Sequence, residues 1–204
     1  LPSLYSFPSK EKRALFIEAL QFVVNRHDVL RTCVVSEGLP QAVQIVLREA
    51  VLEVEELDVA LPELELLAEP GNQRMDVSKA PLLELKSADD KENDNYYLII
   101  NQHHLILDHV GLEKIVFEIT VYLSGKTSDL PTPVLYRDFI GHTLHSQATN
   151  DSEAYFTSLL EGIDTPTYPF GLSDIQGTGS DIKELQALLP EGLSESIRKV
   201  STGL

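Results

Sequence analysis

The sequence predicts an α/β (α+β) fold in which helices pack on a mixed β-sheet. Segments with apolar residues at helical spacing alternate along the chain with short runs rich in Val, Ile, Leu and Tyr. Stretches that contain glycine, proline and asparagine separate these runs, as expected between strands. The apolar share of 43% in 204 residues is ordinary for a globular protein and allows one large domain or two small ones.

The first predicted element is an amphipathic helix over residues 9–28, with Ser9 as its N-cap and charges in its first turn. A short β-branched run, residues 29–35, predicts a strand, and turn residues lead from it into a second strand over 42–47. These two strands predict a hairpin. Because Cys33 is the one cysteine, we expect a buried strand thiol, with no disulfide framework and no thiolate metal site.

The middle of the chain predicts a surface excursion and then a second hairpin. Residues 53–82 are acidic and carry three prolines, so we expect at most a short helix there. The apolar runs 82–88 and 96–102 flank the polar stretch 89–95. This arrangement predicts two strands joined by an exposed loop.

Helical spacing returns in the second half of the chain. Residues 111–123 carry an apolar stripe that ends before Gly125, a favoured residue after a helix C-terminus. Residues 136–147 and 152–163 predict two more helices. The turn-rich stretch 164–181 predicts a loop, and the rest of the chain predicts a strand followed by a helix.

Charge and hydropathy exclude several classes of function. Lys and Arg total 16 against 32 Asp and Glu, a net charge of −16, so the chain lacks the basic face that a nucleic acid binder needs. The sequence has no apolar run long enough to span a bilayer and no secretion signal pattern at its start. We expect a soluble, cytoplasmic protein without nucleic acid or membrane partners. The basic stretch "KEKR" at 10–13 is expected to be a solvated helix start rather than a docking site.

The candidate site lies where the second hairpin ends and the next helix begins. His103, His104, Asp108 and His109 follow an apolar strand, whose end reaches a sheet edge where loops place polar groups at a cavity mouth. Three interpretations are open. The histidines are structural or partly exposed; or they bind a metal such as zinc together with Asp108, although adjacent histidines point in different directions; or one of them is a general acid or base. The sequence has no nucleophile elbow, P-loop, zinc-protease or dinucleotide-binding motif that competes for the chemistry.

Two stretches resemble signature motifs of the condensation domains of nonribosomal peptide synthetases. "HHLILDHVG" resembles the family's His-His-x-x-x-Asp-Gly motif, and "NRHDVLRTCVV" resembles its upstream Arg-His-x-x-Leu-Arg-Thr motif. The matching positions are His103, His104 and Asp108, and Arg26, His27, Leu30, Arg31 and Thr32. Weaker similarities follow in the family's order, "MDVSKAPLLEL" to a Phe-Asp-Leu-x-x-x-Pro-Leu-Leu segment and "LYRDFIGH" to a Tyr-x-Asp-Tyr/Phe segment at Tyr136, Asp138 and Phe139.

The resemblance implies a chloramphenicol acetyltransferase-like fold, a V-shaped domain of two lobes with the histidine motif at the centre of a tunnel between them. Because full domains of this family are much longer than this chain, residues 1–175 are expected to form the amino-terminal lobe. Residues 176–204 are expected to begin the linker and the second lobe. The chain is thus expected to be a fragment of a large multienzyme of secondary metabolite biosynthesis.

The implied reaction is amide bond formation between an acyl or peptidyl donor thioester and an aminoacyl acceptor thioester. The resemblance implies no directly bound cofactor and no metal, because phosphopantetheine arms tether both substrates to carrier proteins. Those carrier proteins and the neighbouring synthetase domains are the expected partners. An isolated fragment is expected to be inactive.

The resemblance also assigns roles to the motif residues, of which His104, His103 and Asp108 are the catalytic candidates. His104 matches the histidine proposed to take the proton from the amine or to orient the tetrahedral species, while His103 is expected to pack or hydrogen-bond locally. Asp108 matches a structural aspartate, expected to form a salt bridge with Arg26 or, as a second choice, with Arg31 and so to fix the loop.

One position departs from the family motif, because His109 stands where the glycine after Asp108 is expected and a glycine follows only at Gly111. Both residues are candidates for lining the tunnel. An imidazole at this position either narrows the tunnel or changes the backbone dihedral angles, or it points outward at the start of the helix.

Other functions of the same fold stay open: a noncatalytic docking or carrier-binding module, an epimerisation domain, which shares the histidine motif, and an acyltransferase that uses coenzyme A or an alcohol acceptor. The upstream motif favours the peptide synthetase branch. The sequence lacks the paired-aspartate motif of heterocyclisation domains.

Overall fold

The computed structural model describes residues 1–69, 74–91, 93–163, 165–168, 171, 185 and 187–202. The chain divides into two units, Leu1–Glu161 and Gly162–Leu204. The expected lobe boundary between residues 175 and 176 lies outside the described residues. So do most residues of the loop predicted over 164–181, and residues 182–184 and 186 of the strand predicted after it.

A four-stranded sheet lies at the centre of the first unit. Its strands, in spatial order, are β1 (Pro2–Phe7), β6 (Asn95–Gln102), β5 (Leu83–Asp90) and β4 (Val54–Leu57). β6 pairs antiparallel with both β1 and β5, which confirms the second predicted hairpin. β4 pairs parallel with β5, so the sheet is mixed, as predicted.

The first predicted hairpin, over residues 29–47, also forms, with one change at its start. Asp28–Arg31 is a 3-10 turn, so β2 (Thr32–Val35) begins three residues later than predicted and pairs antiparallel with β3 (Val43–Val46). Cys33 is buried in β2, as expected.

Helices cover both faces of the four-stranded sheet. α1 (Lys10–Arg26) and α3 (His109–Leu123) pack on one face, and α2 (Leu61–Leu67) packs on the other. The other described α-helices are α4 (Tyr136–Thr149), α5 (Ser152–Leu159) and, in the second unit, α6 (Glu191–Ser201). None of the helices in the described part of the chain combines the length and the apolar character needed to cross a membrane.

The pleat of β6 explains why this strand is an almost continuous apolar run. Successive side chains of a strand point to opposite faces. Leu98 is therefore buried in the same cluster as Ile119 of α3, and Ile99 is buried in the cluster that contains Leu64 of α2. A strand covered on both faces needs apolar residues at both parities.

The two ends of the α1/α3 layer match the sequence signals. The backbone N–H of Lys12 donates to the Oγ of Ser9 at 3.3 Å, which confirms Ser9 as the N-cap of α1. Gly125 follows α3 with a φ of +70°, a left-handed conformation that glycine adopts without a steric penalty.

Sequence patterns miss β1 and β4. β4 lies in the acidic stretch where we expected at most a short helix, and α2 is that helix. Both missed strands are outer strands of the sheet, and each pairs with residues distant along the chain. Outer strands tolerate polar residues, so their local pattern carries little signal.

The basic stretch at the start of α1 is not wholly solvated, which corrects the expectation for Arg13. The guanidinium of Arg13 is buried, forms an ion pair with Asp89 at 2.7 Å, and donates to the carbonyl oxygens of Ala88 and Tyr97 at 3.1 Å each. Lys10, one turn earlier, is exposed. Arg13 therefore connects α1 to the far end of the β5–β6 hairpin.

Candidate active site

The histidine pair begins a tight turn at the end of β6. The backbone N–H of His103 still donates to the carbonyl oxygen of Leu82 at 3.1 Å, one residue beyond the strand. The N–H of Ile106 then donates to the carbonyl oxygen of His103 at 3.2 Å, which reverses the chain, and the Ile106 side chain is buried. The turn ends at Asp108, where α3 begins.

His103 hydrogen-bonds within this turn, as expected for it. Its Nδ1 accepts the backbone N–H of Leu105 at 3.1 Å. A ring nitrogen that accepts an N–H carries no proton, so the neutral imidazole of His103 is protonated on Nε2. The ring of His103 therefore stabilises the turn through this hydrogen bond.

His104 has the opposite tautomer. Its Nδ1 lies 3.1 Å from the carbonyl oxygen of Leu107, and because a carbonyl oxygen only accepts, Nδ1 must be the donor. The neutral ring then carries no proton on Nε2, which has no hydrogen-bond partner among the described residues. The side chain is exposed, so Nε2 is free to accept a proton or a hydrogen bond from a ligand.

His104 also lines two separate cavities. One, of about 370 Å³, lies beside α3 and is called the helix cavity; its walls include His27, Leu107, Gly111 and Tyr136. The other, of about 550 Å³, lies at the end of β6 and is called the sheet-edge cavity; its walls include Met75 and Gln102. His104 is the histidine that the two cavities have in common.

Asp108 begins α3 and holds its first turn. One carboxylate oxygen, Oδ1, accepts the backbone N–H of Gly111 at 2.7 Å, the geometry of a helix N-cap. This hydrogen bond holds the pKa of Asp108 below its usual range, and the nearby charge of His109 acts in the same direction.

The predicted ion pair between Asp108 and an upstream arginine does not form among the described residues, where both arginines have other partners. The Nε of Arg26 donates to Oε2 of Glu118 at 2.9 Å, and Arg26 also donates to the carbonyl oxygen of Pro131. Arg31 donates to backbone carbonyl oxygens, among them that of Val24 at 3.2 Å. The end of α1 faces the third turn of α3 rather than its start, and the Asp108 carboxylate turns toward the amides of its own helix.

The upstream motif instead connects α1 to two other helices through consecutive side chains. Oε2 of Glu118 lies 2.9 Å from the Nε2 of His27 as well as from Arg26. The two carboxylate oxygens of Asp28 accept the backbone N–H of Tyr136, the first residue of α4, at 2.9 and 3.0 Å. These contacts set the wall of the helix cavity to which His27 and Tyr136 belong.

Glu118 and Asp28 are the site residues that sequence reasoning missed. A signal for Glu118 was present, because a glutamate between Ile115 and Ile119 lies on the buried stripe of α3 and so needs a charged partner. Asp28 had no comparable signal in the sequence, since its partner Tyr136 is distant along the chain.

The departure from the family motif has a structural account. His109 is the exposed first residue of α3 and is not part of the helix-cavity wall, whereas Gly111 is. A Cβ atom on Gly111 would lie 2.6 Å from Cδ1 of Leu107 and 3.2 Å from Oδ1 of Asp108. The position that requires a glycine for close packing is therefore Gly111.

Within the described residues, no group of three His, Cys, Asp or Glu side chains is arranged to hold a metal ion. One nitrogen of each ring of the histidine pair is engaged by the backbone of the turn. What the arrangement offers is one unprotonated imidazole nitrogen between two cavities.

The chain is similar to known proteins over nearly its whole length. The sequence matches the family model described as "Condensation domain" over residues 2–201. It is 36% identical to malpinin synthetase of Mortierella alpina over 95% of this chain and 34% identical to malpibaldin synthetase of the same organism over 96%. The chain spans only 3% and 4% of the lengths of these two synthetases.

Solved structures show the same fold. The SgcC5 protein of Streptomyces globisporus superposes with a TM-score of 0.59 at 22% identity, over 79% of this chain and 40% of that one. The EpoB NRPS cyclization-docking bidomain of Sorangium cellulosum gives a TM-score of 0.58 at 20% identity, over 78% of this chain and 32% of that one. The predicted chloramphenicol acetyltransferase-like α/β fold is confirmed.

Proposed function

The chain belongs to the condensation domain family, and on that premise we propose that it is part of a domain that forms amide bonds in a nonribosomal peptide synthetase. In this proposal residues 1–175 form the amino-terminal lobe and residues 176–204 begin the linker to the second lobe. The substrates are a donor acyl or peptidyl thioester and an acceptor aminoacyl thioester.

The observation that carries the proposal is the position of His104 between the helix cavity and the sheet-edge cavity. A condensation reaction needs two substrates to meet at one catalytic group. A single imidazole that lines both cavities satisfies this requirement, whereas a docking module has no need of it. In the proposal each cavity admits one substrate arm.

The proton transfers of the reaction are compatible with the tautomer of His104. The acceptor amine attacks the donor thioester carbonyl, a C–N bond forms, the C–S bond breaks, and the leaving thiolate takes a proton to become a thiol. The amine loses one proton in this process. Nε2 of His104 accepts it, or orients the amine and the tetrahedral species, because Nδ1 is held as a donor by Leu107.

Positioning supplies most of the remaining acceleration. Amide formation from a thioester is downhill, so the catalyst must chiefly bring two tethered groups together in a reactive geometry. In the proposal, phosphopantetheine arms of carrier proteins deliver the groups, and no cofactor is bound by the chain itself. Carrier proteins and adjacent synthetase domains are the proposed partners.

The histidine at position 109 does not obstruct the helix cavity, because it lies outside the cavity wall and Gly111 keeps the close packing. This position of His109 favours a catalytic role of the domain over a purely docking role. Asp108 has a positioning role in the proposal: its cap fixes the start of α3 and the turn that presents His104. His103 has a similar role through its bond to Leu105.

Product analysis of the full domain that contains this chain tests the proposal. The domain is incubated with donor-loaded and acceptor-loaded carrier proteins, and the released products are identified by mass spectrometry and chiral chromatography. The proposal predicts an acceptor-bound amide. Inversion of an aminoacyl centre without amide formation would indicate an epimerisation domain, and carrier binding without any product would indicate a docking module.

A further inference from the structure

A buried carboxylate behind the helix cavity takes no part in the mechanism described so far. Glu118 is buried on α3 with 11% of its side chain exposed, and its Oε2 accepts from both Arg26 and His27 at 2.9 Å. Arg26 is 15% and His27 is 29% exposed. The arginine supplies the charge that a buried carboxylate needs. Neutralisation of Glu118 therefore does not require the contact with His27.

The contact with Glu118 fixes the tautomer of His27. A carboxylate only accepts hydrogen bonds, so the Nε2 of His27 must be the donor, and the neutral ring carries no proton on Nδ1. The described residues give Nδ1 no hydrogen-bond partner. Among these residues no side-chain nitrogen or oxygen is both buried and unpartnered, so Nδ1 lies on accessible surface.

His27 is one of the two histidines in the wall of the helix cavity. His27 contributes to the wall of that cavity together with His104 and Tyr136, and its other ring nitrogen is turned to α3. The helix cavity therefore carries two imidazoles, each with one nitrogen held by the protein and the other free to accept a hydrogen bond.

We propose that Glu118 is a positioning residue that acts through His27, holding this imidazole so that Nδ1 accepts a hydrogen bond from an N–H group of the substrate in the helix cavity. The identity of that substrate as a carrier-tethered thioester rests on the function proposed above. Two of its groups offer an N–H donor, the amides of the phosphopantetheine arm and the amine of an aminoacyl group. The cavity wall is otherwise largely apolar, with Leu30, Ile106 and Ile115 among its residues, so an oriented acceptor there confers specificity.

The tautomer of His27 is the first test, and it requires no catalysis. The full domain is labelled with ¹⁵N-histidine, the His27 signals are assigned with a His27→Gln variant, and the ring nitrogen shifts are recorded at a pH where the ring is neutral. The proposal predicts a protonated Nε2 in the wild type and in Glu118→Gln, whose amide oxygen still accepts. It predicts a mixture of tautomers in Glu118→Leu, and an unchanged tautomer in that variant would overturn it.

A double-mutant cycle on amide formation is the second test. Glu118→Leu should lower kcat/KM per folded molecule about tenfold, the loss expected for one oriented hydrogen bond, and should have less than about a twofold effect when His27 is already alanine. Glu118→Gln should retain most of the wild-type kcat/KM, because its amide oxygen still accepts from His27. Glu113→Gln, at an exposed site on the same helix, is the matched control and should keep the wild-type kcat/KM. Equal losses in both backgrounds would mean that Glu118 acts through Arg26 and folding alone.

Two further comparisons separate the sources of the N–H group and the two proposals. The loss of kcat/KM caused by Glu118→Leu is measured again with an aminoacyl ethyl thioester, which lacks the arm amides. If the loss disappears, an arm amide donates the hydrogen bond to His27; if the loss persists, the amine donates it. If the wild-type domain forms no amide at all, the proposed function fails, and the ring nitrogen shifts still decide whether Glu118 controls His27.

Discussion

The Nδ1 atom of His104 lies 3.1 Å from the carbonyl oxygen of Leu107. This one contact makes Nδ1 the donor and leaves Nε2 as an unprotonated acceptor on a side chain that lines both cavities. The turn that provides the Leu107 carbonyl is closed by Asp108 and by the packing of Gly111. The orientation of the candidate catalytic imidazole therefore depends on the residues of the turn and on the first turn of α3.

Gly111→Ala should disturb the helix cavity more than it disturbs the fold. The added methyl would lie 2.6 Å from Cδ1 of Leu107, so the leucine must leave its rotamer at a cost of about 1 kcal/mol. We expect reduced amide formation in the full domain, and partial recovery in the double variant Gly111→Ala, Leu107→Ala. Gly141→Ala, in a helix where the new methyl meets no atom within 4 Å, should be neutral or slightly stabilising; the same loss at both glycines would contradict the packing explanation.

The cap formed by Asp108 predicts a dependence of stability on pH. Because the hydrogen bond from Gly111 lowers the folded-state pKa of Asp108, the ionised carboxylate stabilises the folded state at pH values above the ordinary carboxyl range. This contribution is lost as the pH falls through the lowered pKa. Melting temperatures of wild type and Asp108→Asn should therefore differ by a constant amount near neutral pH and converge in acid. Asp108→Ala, which cannot cap, should melt a few degrees lower than either near neutral pH, and a gap that widens on acidification would contradict this assignment.

Arg26 should be energetically coupled to Glu118 and not to Asp108. Removal of one partner from the nearly buried Arg26–Glu118 pair should cost about 3 kcal/mol in the free energy of unfolding, measured with urea. In a double-mutant cycle, Arg26→Ala and Glu118→Gln should show a coupling energy above about 1 kcal/mol, whereas Arg26→Ala and Asp108→Asn should be additive. Arg137→Ala, in a largely exposed ion pair with Asp138, is the control and should change stability little. Strong coupling between Arg26 and Asp108 would reinstate the pairing expected from the family motif.

The buried guanidinium of Arg13 should contribute far more to stability than its exposed neighbour. Arg13→Met leaves Asp89 and two strand carbonyl oxygens without their donor, and we expect a loss of about 3 kcal/mol. Lys10 also lies near Asp89, at 3.6 Å, but 57% of its side chain is exposed. Lys10→Ala should therefore change the unfolding free energy by less than about 0.5 kcal/mol, and similar losses at both positions would argue that Arg13 is solvated.

The elements that the sequence predicted are those whose signal is local. β5 and β6 alternate or run apolar on either side of a polar loop, and α3 has apolar spacing with Gly125 after it. β1 and β4 were not predicted because they pair with distant residues, and "VEEL" in β4 has only two apolar positions. Pairing across long sequence separation is specified by the tertiary structure rather than by a short window.

The same distinction applies to the site. The strand end that carries His103 and His104 could be predicted, because the apolar run stops there. The family motif suggested an arginine as the partner of Asp108, whereas the structure pairs its carboxylate with the N–H of Gly111. The preference for aspartate as a helix N-cap, which accepts the N–H three residues later, would have identified Gly111. The His27–Glu118 contact joins residues far apart in the chain, and only the charge on the buried stripe of α3 hinted at it.

The most direct test of the central claim, that the free Nε2 of His104 serves amide formation, is single-turnover kinetics of the full domain with saturating donor-loaded and acceptor-loaded carrier proteins. His104→Ala should slow amide formation about 100-fold, the contribution expected of a general base, while carrier binding stays unchanged. His109→Gln, an exposed site outside the helix-cavity wall, should retain the wild-type rate. Equal single-turnover rates for wild type and His104→Ala would contradict a catalytic role for the imidazole and would leave positioning of the two arms as the whole of the mechanism.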